Sequence, residues 1–218
     1  MFDAARWPQA TAAALEPDGW NNAATPVSTG GRGAAWFVEA ARVSRDSYLW
    51  LGEGRVRCLA EFRLLARLRG LGLPVPAPLL AGYWRRGLSY RAAIVVERIE
   101  GALSLADYLD QPGAAAWASA GATIARLHAA GVDHADLNAH NVLVGADGQA
   151  WLIDFDRGRV RRPSAGWREA NLARLSRSLA KLAGPENESW REGFERLRQS
   201  YEAAFNGAPV AGATEVNR

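Results

Sequence analysis

At 218 residues, with 49% hydrophobic and 22% charged residues, the chain has ample apolar material for a packed core and too little charge for a disordered one. Its 26 Lys and Arg against 23 Asp and Glu leave a formal charge of only +3 at pH 7, which does not demand nucleic acid as a partner, and the single cysteine, Cys58, excludes an internal disulfide. The longest apolar runs, such as Ala92 to Val96, fall far short of a membrane span and no charged-then-apolar leader opens the chain, so a protein of the reducing cytoplasm is expected.

Lys181 is the only lysine, so nearly all the positive charge is arginine, whose forked guanidinium suits phosphate and carboxylate ligands. Residues 1–26 carry Trp7, Pro8, Pro17 and Trp20 without clear period and read as an irregular or partly helical lead-in. The run Ser28 to Gly33 precedes the apolar stretch Ala34 to Val38. A turn containing Gly30, Gly31 and Gly33 either brings backbone N–H groups onto phosphate or is a plain hairpin. From Glu53 to Leu68 the apolar residues Val56, Leu59, Phe62, Leu65 and Leu68 recur at helical steps. Glu61 lies in that helix, where it suits orienting a cationic phosphate-binding side chain or simply faces water. Gly70 to Pro78 ends the helix, because proline blocks the helical ladder.

Leu79 to Trp84 and Tyr90 to Arg98 read as strands around a turn at Arg85-Arg86-Gly87, with Glu97 to Gly101 as a hinge whose backbone suits an adenine edge. Ser104 opens a helix that Pro112-Gly113 stops, and a longer helix runs from Ala114 to Ala130, capped by Gly131. An α+β chain of two lobes is expected: a strand-rich nucleotide-binding lobe over 1–101 and a helical catalytic lobe over 102–218.

The reaction centre is read from His134-Ala-Asp-Leu-Asn-Ala-His-Asn141. The apolar strand Val142 to Val144, a turn at Ala146 to Gly148, and the strand Trp151 to Ile153 follow, leading into Asp154. This order of base, amide, strand and acid is the pattern of a kinase-like centre. Asp136 suits accepting the proton of an attacking hydroxyl. Asn141 and Asp154 offer the hard oxygens that magnesium prefers while it sits against the phosphates of a nucleotide. The three histidines, His128, His134 and His140, lack the cysteine partners or H-E-x-x-H spacing of a zinc site. His134 is expected to brace the loop and His140 to face solvent. Arg157 to Arg162 holds four arginines that suit an anionic acceptor, an anionic lipid surface or plain solvation. Trp167 to Leu182 and Trp190 to Phe205 read as amphipathic helices, with Asn171 placed to buttress the catalytic loop.

These motifs, together with Gly30-Gly-Arg-Gly33, Asp46-Ser-Tyr-Leu-Trp50, Glu61-Phe-Arg-Leu-Leu65, Gly72-Leu-Pro-Val-Pro76 and Asn171 to Leu179, resemble the 3-deoxy-D-manno-octulosonic acid (Kdo) kinases of lipopolysaccharide assembly. Those are relatives of the heptose kinases and, more distantly, of protein kinases. The resemblance implies a two-lobed protein-kinase-like fold. It also implies ATP- and Mg2+-dependent phosphorylation of a Kdo hydroxyl on a lipid A precursor, Kdo-lipid IVA, with the enzyme peripheral to the inner membrane on its cytoplasmic side. Against the family pattern the first lobe is shortened: Glu39 to Arg45 stands where a basic strand and turn would supply the cation paired with Glu61, so either Arg42 or Arg45 substitutes or nucleotide affinity is lost. The rivals are a heptose or other small-molecule kinase and a non-catalytic binding module on the same scaffold. The short interval from Asp156 to Trp167 disfavours a protein substrate.

Overall fold

The computed structural model describes residues 41–43 and 48–207. The described chain divides into two compact units, one ending at Arg98 but lacking Leu71–Val75, the other comprising Leu71–Val75 and the chain from Ile99 onward. Mixed α and β structure fills both.

In the first unit a sheet is organised on β4 (Ser89–Val96). One edge of β4 pairs antiparallel with β1 (Ala41–Val43) and β2 (Tyr48–Leu49), and the other with β3 (Pro78–Arg86). Ala92 to Val95 are buried without alternation, as a central strand covered by a helix requires. That helix is α1 (Arg57–Gly70), which packs on β3 and β4 and buries Cys58, Glu61, Leu65 and Leu68, a stripe at helical spacing. Cys58 sits against the sheet, its Sγ donating to the Gly82 carbonyl at 3.3 Å. Burial pushes its thiol up to about 11, so it is inert at neutral pH.

Three boundaries differ from the sequence expectation, each for a local reason. The helix expected from Glu53 begins only at Arg57, because Gly52 at φ 97 and a 3-10 turn over Glu53–Arg55 come first. The β3–β4 strands run on through Arg86 to a tighter two-residue turn, where Gly87 takes φ 57. The helix expected at Ser104 is a single 3-10 turn, Leu105–Tyr108, held by a capping box in which the Asp107 carboxylate accepts from the Ser104 backbone at 2.7 Å.

The second unit is built on α2 (Ala115–Ala129), whose residues Trp117, Ala120, Ile124, Ala125 and Leu127 are almost completely buried. A three-stranded sheet, β5 (Leu103–Ser104), β7 (Val142–Val144) and β8 (Ala150–Leu152), lies against it. β6 (Val132–Asp133) pairs with β9 (Arg159–Val160). The helices α3 (Ala165–Ala183) and α4 (Ser189–Gly207) complete the unit. α2 and α4 approach through glycines: a Cβ at Gly121 would collide with the Leu197 carbonyl, and one at Gly193 with the Trp117 indole. Gly121→Ala is expected to destabilise by about 1–3 kcal/mol in denaturant unfolding, since the clash is with helix backbone that has nowhere to move.

His128 sits in this core, 2% exposed, with its ring against Trp167 and Tyr201. Its Nδ1 accepts from the Tyr201 hydroxyl at 3.0 Å, and that oxygen accepts from Arg168 at 3.1 Å. Burial, then the Arg168 charge, lower its pKa from 6.5 to about 3. Between those values the unfolded chain binds a proton that the folded chain refuses, so this stability is full above pH 6.5 and drains as pH falls toward 3. Urea midpoints followed from pH 7 to pH 4 are expected to fall less steeply in His128→Leu than in the unaltered protein.

Candidate active site

Every residue of the catalytic-loop motif belongs to the second unit. The chain leaves β6 at Asp133, passes through His134 and Ala135, and turns at Asp136. Ala135 has φ 58 and Asp154 has φ 63, the two non-glycine residues with left-handed backbone among those described. Such conformations cost of order 1 kcal/mol each and persist only where neighbours enforce them. Here the enforcing groups are identifiable.

The Asp133 carboxylate is 7% exposed and accepts three hydrogen bonds: from the Ala135 amide at 3.2 Å, from Asn171 Nδ2 at 2.9 Å and from the Arg161 guanidinium at 3.0 Å. Burial favours its neutral form, but the bonds from Asn171, Arg161 and Ala135 together outweigh it and hold the carboxyl below its ordinary range. Asn171, expected as a buttress, thus acts through Asp133, while its Nδ2 also reaches the Trp167 carbonyl at 2.8 Å. Arg161 also closes β9 onto the loop through its amide, which donates to the Gly131 carbonyl at 2.7 Å. A Cβ at Gly131, whose φ is 79, would strike the Arg161 carbonyl, so the approach demands glycine.

The loop is then pinned to the strand that carries Asp154. His134 is 1% exposed, packs its ring at a tilt against Phe155 at 4.7 Å between ring centroids, and donates from Nε2 to the Ile153 carbonyl at 2.8 Å. Burial lowers its pKa, so it braces the loop as a neutral ring. The Ile153 amide donates to the Asn141 carbonyl at 3.1 Å, across the β7–β8 pair that aligns Val142 with Leu152. Asn138 caps the 3-10 turn Ala139–Asn141, accepting from the amides of His140 at 3.0 Å and Asn141 at 3.1 Å. Ser178 of α3 accepts from the Ala139 amide at 3.2 Å.

Asn141 is 8% exposed, and its Nδ2 donates to the Asp136 carbonyl at 3.0 Å. With the amide nitrogen committed there, the Asn141 oxygen is the end left to accept, which fits a hard cation. The Asp136 and Asp154 side chains are half-buried, as a carboxylate that meets substrate or metal requires. Hydrogen bonds therefore tie the Asn141 side-chain amide to the Asp136 carbonyl, and tie both Asn141 and His134 to Ile153, the residue that precedes Asp154.

Of the other residues singled out in the sequence, Glu61 belongs to the first unit, buried at 6% in α1. The Arg42 backbone pairs with Ile94, while Gly30, Gly31, Gly33 and Arg45 lie outside the described residues. Glu97 at the expected hinge accepts from the Ala77 amide at 3.0 Å and fastens the proline segment to the end of β4. His140 is exposed. Among the four arginines of 157–162, Arg161 is engaged with Asp133 and the remaining three are exposed. Asp133 and Ser178 were missed by sequence reasoning; an acid directly before the motif histidine was the available signal for the first.

Among the described residues no helix is long and apolar enough to cross a membrane. The model of the lipopolysaccharide kinase (Kdo/WaaP) family matches residues 7–201. A 3-deoxy-D-manno-octulosonic acid kinase of Xanthomonas campestris pv. campestris (strain B100) is 51% identical over 223 residues, covering 94% of this chain and 90% of the relative. Proteins of the same name from Xanthomonas oryzae pv. oryzae (strain PXO99A) and Stenotrophomonas maltophilia (strain R551-3) are each 50% identical, with the same shares covered. These alignments are longer than the 218-residue chain itself, so the relatives carry residues with no counterpart here.

Proposed function

Because the chain belongs to the lipopolysaccharide kinase (Kdo/WaaP) family, we propose that it transfers the γ-phosphoryl group of ATP to a hydroxyl of a Kdo residue on a lipid A precursor. The first unit serves as nucleotide-binding lobe and the second as catalytic lobe of a protein-kinase-like fold. The single observation that carries the site assignment is the pair of hydrogen bonds that ties Asp136 to Asn141 and Asn141 to Ile153, the residue that precedes Asp154. It supports the convergence of a base, an amide oxygen and a carboxylate.

In this reading Asp136 accepts the proton of the acceptor hydroxyl as its oxygen attacks phosphorus and the bond to the β-phosphate breaks. Asn141 and Asp154 would hold magnesium, which when bound neutralises charge on the β- and γ-phosphates. Gly30, Gly31 and Gly33 cover the phosphates, and Glu61 orients a cation toward them. The exposed Arg157, Arg159 and Arg162 meet the anionic acceptor or the headgroups around it, at the cytoplasmic face of the inner membrane.

The test is incubation of the purified chain with ATP and Kdo-lipid IVA, followed by mass spectrometry of the lipid. Gain of phosphate on the Kdo sugar is expected. Gain only on a heptose-containing acceptor in a parallel panel would move the assignment to the rival sugar.

A further inference from the structure

Between Asp136, the proposed base, and Asn141, a proposed metal ligand, stands Asn138, whose half-buried side chain bonds to both. Its Oδ1 accepts from the amides of His140 at 3.0 Å and Asn141 at 3.1 Å, and its Nδ2 donates to the Asp136 carbonyl at 3.2 Å. The partners fix which end is which: two N–H groups need an acceptor, and a carbonyl only accepts. The Asp136 carbonyl also receives Asn141 Nδ2 at 3.0 Å, so both of its lone pairs are taken by side-chain amides. A closed ring results, in which Asn138 holds the Asn141 backbone, the Asn141 side chain holds the Asp136 carbonyl, and Asn138 holds that carbonyl from its other end. Capping the turn Ala139–Asn141 needs only the oxygen, and a serine or aspartate supplies one as well. The nitrogen adds nothing to the cap; its bond ties the peptide of Asp136 to the turn that carries Asn141.

We propose that Asn138 is a positioning residue: through its Nδ2 it holds the Asp136 carbonyl to the Asn141 turn, and so keeps the base and the Asn141 Oδ1 in one fixed relation. It acts through these two residues and does not itself touch substrate. This role deepens the kinase reading above and rests on it. Misplacing a reacting group by about 1 Å costs on the order of 100-fold in rate, so one bond at this point has more leverage on turnover than on stability.

The test separates the cap from the tie. Asn138→Ser keeps an oxygen for the turn and loses the nitrogen without adding charge, while Asn138→Asp keeps the cap and sets a carboxylate oxygen against the Asp136 carbonyl. In the full chain both are expected to melt close to the unaltered protein and to lose about 10–100-fold in kcat with ATP and Kdo-lipid IVA. Calorimetry of ATP binding at graded magnesium gives a readout independent of turnover: the magnesium concentration for half-maximal binding should rise about tenfold in both, the scale seen when a group that orients a metal ligand is removed. A serine variant that keeps both kcat and the magnesium requirement would overturn the proposal. So would a loss confined to the aspartate variant, which is then an effect of charge, or a fall in kcat that tracks the unfolded fraction and leaves the magnesium requirement unmoved. An unaltered chain that binds ATP with magnesium yet phosphorylates no Kdo acceptor would count against the kinase reading alone, and the magnesium shift in Asn138→Ser would still decide the role of Asn138.

Discussion

Asp136→Asn is expected to lower kcat for phosphoryl transfer by about 10²–10⁴-fold while leaving the fold intact. The magnitude is that of removing a positioned general base. Stability should hold because it is the Asp136 carbonyl, and not its carboxylate, that receives Asn141 Nδ2 at 3.0 Å and Asn138 Nδ2 at 3.2 Å. The side chain is half-buried and isosteric with its replacement. The KM for ATP should change little, because a residue beyond the metal shell acts on the acceptor and not on the nucleotide. Steady-state rates with ATP and a Kdo-bearing acceptor measure this. Unchanged turnover would remove Asp136 from the chemistry.

The largest stability effect expected from one site change in the catalytic loop is at Asp133. Asp133→Ala leaves Asn171 Nδ2, the Arg161 guanidinium and the Ala135 amide without their shared acceptor. Removing one partner from a buried charged network typically costs several kcal/mol. Arg161 is half exposed and can recruit water, so the expected loss here is about 2–4 kcal/mol, read as a lowered urea midpoint. Arg161→Ala is expected to cost less, about 1 kcal/mol, because its own end of the pair is solvated. The same change at Asp133 frees Ala135 from φ 58, so activity should fall even at temperatures where Asp133→Ala remains folded. Full activity in a folded variant would show that the loop does not need this clamp.

Long elements with a clear period could be read directly. The α2 helix was expected from Ala114 to Ala130 and spans Ala115–Ala129, and the Val142–Val144 and Ala150–Leu152 strands flank the turn expected at Ala146 to Gly148. Short elements could not, because their state is decided by tertiary bonds: Ser104 is drawn into β5 by pairing with Leu143, leaving only a 3-10 turn behind it. The proposed site residues Asp136, Asn141 and Asp154 are picked out by residue type and spacing. The groups that hold them do not, since Asp133 and Arg161 are 28 positions apart and meet only because β6 pairs with β9. Arg161 shows the same limit from the other side. In sequence it is one of four equivalent arginines, and the β9 register alone singles it out for Asp133.

The central claim, that Asn141 and Asp154 hold one magnesium ion against ATP with Asp136 just outside, is tested most directly by calorimetric titration of ATP into the full chain with and without magnesium. Omitting magnesium is expected to weaken ATP binding by at least about tenfold in the unaltered protein, and in Asp136→Asn equally. In Asp154→Asn that dependence should largely disappear. Magnesium dependence that survives intact in Asp154→Asn would contradict the account.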